Sequence, residues 1–321
     1  MRRVFTAALA ACALAPAALA QLPRTPDGKP DLQGLWVAET VTPMQRPKDF
    51  KSLVIAPEDA AAASKKMLED PGEVYDPEFD SYHSTALLSV NGELRSSWIV
   101  MPADGRLPLT TLARAARNQE RPEYDNPEER DPAERCIDSL AHAPIRAVNV
   151  VIPYLFVQTP DAFVITAEDM DPTRIVDLSG RPHPSVIRTR TGDSNGHWDG
   201  DTLVIETDHF AAVEPGGLLF RNAALVSQGS RVIERLRLIS PDTISYQFTI
   251  EDPALYTAPW LAELTLTRTT GPFLDYACHE GNDSIVHILQ AARLGKQKPP
   301  KKDDKKDDKP KDDPKQAATA Q

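Results

Sequence analysis

From Asn149 to Tyr276 the chain is a succession of short apolar–polar alternations broken by turn signals, and this rhythm most constrains its fold. Strands are expected at about Tyr154–Thr159, Phe163–Glu168, Arg174–Leu178, Val186–Thr191, Thr202–Asp208, Arg231–Ile239, Thr243–Glu251 and Leu261–Thr269, with a last short one near Phe273–Ala277. Pro160-Asp161, Asp171-Pro172, Ser179-Gly180, Asp199-Gly200, Pro241-Asp242 and Gly271-Pro272 separate nearly all of them. Short strands with tight connections indicate an antiparallel meander, either closed as a β-barrel or folded as a β-sandwich. The barrel is favoured because an amphipathic helix, Asn282–Leu294, follows the last strand. Ile285, Ile288, Leu289 and Ala292 form its apolar stripe, and Asp283 or Ser284 can cap it.

The centre of this body is GDSNGHWDGDTLVIETDHF, Gly192–Phe210, which reads as a hairpin turning at Asp199-Gly200. Leu203 and Ile205 fall on one face of its second strand, with Thr202, Val204 and Glu206 on the other. Its two His, four Asp and one Glu match no ligand spacing, so no metal is expected. Asp, Asn and Gly gather in turns for conformational reasons alone.

Upstream of the strand-rich body, Pro57–Glu69 reads as a helix, with Pro57 at its first position and Glu58-Asp59 near the positive end of its dipole. Ala86–Met101 reads as a second hairpin, with Asn91-Gly92 as its turn. The stretch 102–138 is a long irregular loop with one or two helical turns at Leu112–Gln119 and a charged, Pro-punctuated remainder. Residues 296–321 form a Lys/Asp-rich tail expected to be disordered.

Arg2-Arg3, the apolar run Val4–Leu19 and the Ala18-Leu19-Ala20 cleavage site make residues 1–20 a signal peptide, followed by one domain over 21–295. Leu9-Ala10-Ala11-Cys12 also offers a lipobox, but the apolar run continues past Cys12, which favours a periplasmic or secreted protein. No later stretch is long and apolar enough to span a bilayer. A hydrophobic share of 41% is enough for a core, and 29 prolines argue against a helical bundle. The formal charge is −11, with +2 in the leader and +3 in the tail, so the body carries −16. Such a surface repels the phosphate backbone, and no nucleic-acid partner is expected.

Two cysteines remain after the leader, Cys136 and Cys278, and in an oxidising compartment they are expected to form a disulfide. Cys278-His279-Glu280-Gly281-Asn282 places an imidazole beside a carboxylate, the composition of an acid–base pair, with Asn282 at hand for a ligand. Gly180-Arg181-Pro182-His183-Pro184 sets a cation and an imidazole on a stiffened loop, and Tyr256 with Trp260 suit a flat organic or sugar ligand. These segments are expected to share one rim, with His279, Glu280 and His183 in catalytic roles and Arg181, Tyr256, Trp260 and Asn282 binding ligand. Motifs for nucleotide cofactors, the familiar hydrolases and zinc proteases are absent, so no cofactor is expected.

Glu134-Arg135-Cys136, VQTPD (Val157–Asp161), GRPHP (Gly180–Pro184), GDSNGHWDGDTLVIET (Gly192–Thr207) and CHEGN (Cys278–Asn282) together resemble a widespread family of exported, uncharacterised bacterial proteins. The resemblance spans most of the chain after the leader and implies one exported domain; it assigns no reaction. Gly34-Leu35-Trp36 is similar to the Gly-x-Trp at the start of lipocalin-type barrels, and the final helix is lipocalin-like too. That similarity implies that Trp36 closes one end of the barrel beneath an Arg of a late strand, with Arg268 the candidate. The function expected is binding of a small apolar, aromatic or sugar-like molecule. The alternative is a cofactor-free lyase, isomerase or hydrolase using His and carboxylate groups at the barrel mouth. Oligomeric state is not legible.

Overall fold

The computed structural model describes residues 22–69, 84–118, 126–127, 135–137, 141–147, 152–169, 173–182, 186–211 and 226–297. The leader, His183, most of the Lys/Asp tail and parts of the 102–138 loop lie outside them. In chain order the strands are β1 (Gly34–Val37), β2 (Val54–Ile55), β3 (Ser89–Val90), β4 (Glu93–Arg95), β5 (Ile99–Met101), β6 (Pro153–Gln158), β7 (Ala162–Ala167), β8 (Arg174–Asp177), β9 (Asp193–Asp199), β10 (Thr202–Asp208), β11 (Arg231–Ser240), β12 (Thr243–Glu251) and β13 (Trp260–Thr269). The helices are α1 (Ala60–Leu68), α2 (Thr111–Asn118) and α3 (Ser284–Gln297). No described helix is long and apolar enough to cross a membrane.

Nine strands, β1 and β6 to β13, pair in sequence and close where β13 returns to β1. The barrel is mixed: β8 and β9 run parallel, pairing Val176 with Ser194 and Asp177 with Asn195. A parallel pair needs a crossover rather than a tight turn. The connection between β8 and β9 supplies it, and the strand expected at Val186–Thr191 is absent. Val186 and Ile187 are exposed, and Thr189 makes only an isolated bridge to Phe210. The strand expected near Phe273–Ala277 is also absent; there the Leu274 amide donates to Glu168 Oε2 at 2.8 Å. The Ala86–Met101 hairpin forms with its turn at Asn91-Gly92, whose φ values of 52° and 83° are those a type I′ turn demands. β2, β4 and β3 make a small separate sheet, and α1 buries Ala63 and Met67 in a second cluster with Ile55.

One end of the barrel is closed as expected. Trp36 is the register partner of Arg268, whose guanidinium lies over the indole, 4.2 Å from the ring centroid. The indole donates to Leu32 O at 2.9 Å, while Arg268 donates to Gln33 O at 2.9 Å and to Pro241 O at 3.0 Å. Gly34 makes room for this: its φ is +120°, and a Cβ there would lie 2.4 Å from Arg268 Nη1. The N-terminal segment crosses the same end, with Gln158 Oε1 accepting from the Leu32 amide at 3.1 Å and Arg24 paired with Asp201 at 2.8 Å.

Gly34→Ala should therefore destabilise the fold by about 3 kcal/mol in urea unfolding, from the left-handed φ and the displaced guanidinium together. In an Arg268→Ala background the same substitution should cost at least about 1 kcal/mol less, because only the backbone penalty remains. Additive costs would show that Gly34 and Arg268 are not coupled.

Candidate functional site

Alternation along β11, β12 and β13 sends Val232, Glu234, Leu236 and Leu238, then Ile244, Tyr246, Phe248 and Ile250, then Trp260, Ala262, Leu264 and Leu266 to the buried face. Eleven of these twelve are apolar or aromatic, so Glu234 stands in an apolar phase. It is wholly buried and faces Arg174, the first residue of β8, which is 2% exposed. Arg174 Nη2 donates to Glu234 Oε1 at 3.0 Å and Nη1 donates to Oε2. Tyr246 Oη donates to Oε1 at 2.7 Å. The Ile145 amide donates to Tyr246 Oη at 2.9 Å and to Glu234 Oε1 at 3.3 Å. Taking either charge alone out of water costs several kcal/mol; the paired geometry and the extra donors offset that penalty.

These contacts explain the path of residues 141–147. Ala141, Ala143, Ile145 and Ala147 are all buried, and Tyr154 Oη donates to Arg146 O at 2.6 Å. The segment is thus tied into the barrel interior at Ile145 N and Arg146 O. Arg268 sits beside the β11–β12 turn at the closed end. Glu234 lies six residues back from Ser240 at that turn, about 20 Å at the rise of an extended chain. The polar cluster and its segment therefore occupy the half of the barrel away from Arg268.

Burial opposes the Arg174 charge, but the Glu234 carboxylate offsets this and holds the guanidinium pKa above its ordinary value. Burial likewise pushes the Tyr154 and Tyr246 phenols up, and the Glu234 charge adds to the effect at Tyr246.

The residues singled out from the sequence are placed differently. Arg181 follows β8 at the closed-end rim, where its side chain is 79% exposed and pairs with Asp177 at 3.2 Å. Tyr256 and Trp260 precede β13, whose start lies at the opposite rim, so Arg181 does not share their end. Nor are they walls of an open mouth: they are 2% and 1% exposed. Leu109 bridges to Tyr256, and the indole of Trp260 packs edge-on against Tyr256 and Phe248 at 5.6 and 5.5 Å. His279 and Glu280 are exposed on the turn after Cys278 and make no hydrogen bond to each other. Asn282 donates to Cys136 Sγ at 3.4 Å and accepts from the Ser284 amide at 3.2 Å, so it joins the disulfide to the start of α3. Cys136 and Cys278 are bonded, with their Cα atoms 5.8 Å apart and a sequence separation of 142. The acids of the β9–β10 hairpin are engaged, Asp199 with Arg235 at 2.9 Å and Asp201 with Arg24. Among the described residues no group of three or more His, Cys, Asp or Glu is placed to hold a metal.

Sequence reading missed Arg174, Glu234, Tyr246 and the 141–147 segment. One signal was present: Glu234 shares its alternation phase with Val232, Leu236 and Leu238. Comparisons with models of known families, with curated proteins and with solved structures find no match.

Glu234→Gln, which leaves the Arg174 charge buried without its counter-charge, should cost about 3–5 kcal/mol in chemical unfolding. A cost below about 1 kcal/mol would mean that the pair is hydrated. The two phenols set an alkaline limit. An unfolded Tyr ionises near pH 10, whereas folded Tyr154 and Tyr246 hold their protons higher, so their contribution is complete below about pH 10 and declines above it. Stability should then fall by up to about 2.7 kcal/mol per pH unit from the pair. Absorbance at a phenolate wavelength should show both ionising only with unfolding.

Proposed function

We propose that this chain is an exported barrel that binds a small, mainly apolar, aromatic or sugar-like molecule in the half of its interior opposite Trp36. The observation that carries this reading is the gathering of a few buried polar groups, Arg174, Glu234 and Tyr246, beside the aromatic rings of Phe248 and Trp260. Specific small-molecule sites have this make-up: an apolar lining with a small number of fixed polar groups. Export is supported by the Arg2-Arg3 and Val4–Ala20 leader pattern and by the Cys136–Cys278 bridge, which fits an oxidising compartment. The acid–base alternative is weaker, because no carboxylate among the described residues holds the exposed His279 imidazole.

A melting-temperature screen of the mature chain against neutral aromatics, isoprenoid compounds and sugars tests the reading. A ligand at a hundred times its Kd should add about 2.7 kcal/mol of stability and perturb tryptophan fluorescence. Ala262→Leu, which adds bulk beside Phe248 on the inner face, should weaken that ligand at least tenfold. Binding indifferent to Ala262→Leu, or no stabilising compound, would contradict an interior site.

A further inference from the structure

The interior described above carries two buried donors that no group among the described residues accepts. Trp260 is 1% exposed and Arg174 2%, yet among the described residues Trp260 Nε1 and Arg174 Nε have no hydrogen-bond partner. Buried polar hydrogens are normally satisfied, because leaving one unpaired forfeits its hydration without return. The two belong to one region: Arg174 is held by Glu234, Glu234 is the register partner of Phe248, and the Phe248 ring packs on Trp260.

The Glu234 carboxylate is already engaged. Glu234 receives four hydrogen bonds, two from Arg174 and one each from Tyr246 and Ile145. Three of them fall on Oε1 and one on Oε2, and the carboxylate charge is already matched by the guanidinium, so a ligand ammonium would bring an uncompensated charge. The Arg174 charge is likewise balanced by Glu234, and an anion entering the interior would bring an uncompensated charge.

Resting on the binding function proposed above, we infer that the ligand is a neutral apolar or aromatic molecule carrying a carbonyl or ether oxygen. Carboxylates, phosphates and amines are disfavoured. The oxygen accepts from Trp260 Nε1 or Arg174 Nε, and the hydrocarbon body lies against Phe248.

Four compounds of nearly one shape test this on the mature chain: acetophenone, ethylbenzene, benzoate and benzylammonium, with Kd from ligand-observed NMR. Acetophenone should bind at least tenfold more tightly than ethylbenzene, and the two ions more weakly than either. Trp260→Phe, which keeps an aromatic ring and removes the N–H, should reduce the advantage of acetophenone over ethylbenzene at least threefold. Arg174→Lys, which keeps the charge and removes the Nε donor, gives a second reading of the same advantage. Equal binding of ketone and hydrocarbon, or tighter binding of benzoate, would overturn this inference and leave the barrel-binding function standing. An advantage unchanged in both variants would also overturn it. Failure of all four compounds to bind would overturn both.

Discussion

A guanidinium and a carboxylate enclosed together in a β-barrel form the contact on which the rest of this interior depends. Arg174 opens β8 and Glu234 lies within β11, sixty residues later. Neither charge is tolerable there without the other, since each alone would face a desolvation penalty of several kcal/mol. Satisfying the Glu234 oxygens brings in Tyr246 from β12 and the Ile145 amide from a connecting segment. One ion pair thereby ties two strands on opposite sides of the parallel β8–β9 ladder and fixes a stretch of irregular chain inside the barrel.

The two halves of the barrel are organised by different physics. At the closed end the decisive contact is a cation over an aromatic face, Arg268 on Trp36, admitted because Gly34 lacks a side chain. In the other half residues 141–147 enter the interior, and Leu109 bridges to Tyr256 beside the start of β13. The Cys136–Cys278 bridge fixes the chain five residues before Ala141, so the covalent link and the buried ion pair constrain the same short segment from its two sides.

Much of this architecture is legible in the residue pattern. Alternation and turn residues mark β6, β7, β8 and β10 to β13, and the Gly34-Leu35-Trp36 triplet points to the closed end and to Arg268. What alternation cannot show is the direction in which a strand is paired. The connection between β8 and β9 contains Val186, Ile187 and Thr189, β-branched residues that read as a strand although Val186 and Ile187 stand exposed outside the sheet. Pairing β9 parallel to β8, where a meander would pair it antiparallel, moves every later strand end to the other rim, so Arg181 and Trp260 lie at opposite ends. The site is harder still to read. Ion pairing between Arg174 and Glu234 is a tertiary event, and nothing local to Ala-His-Ala-Pro-Ile announces that its backbone amide will meet a buried carboxylate.

Native-state hydrogen exchange at the Ile145 amide tests most directly whether the buried cluster holds residues 141–147 inside the barrel. If it does, that amide exchanges only through global unfolding, as slowly as the amides of β11 and β12, and becomes fast in Glu234→Gln. Exchange in the wild-type protein as rapid as at the exposed turn residues Gly200 and Asp242 would contradict the account, because the segment would then leave the barrel without disturbing the fold.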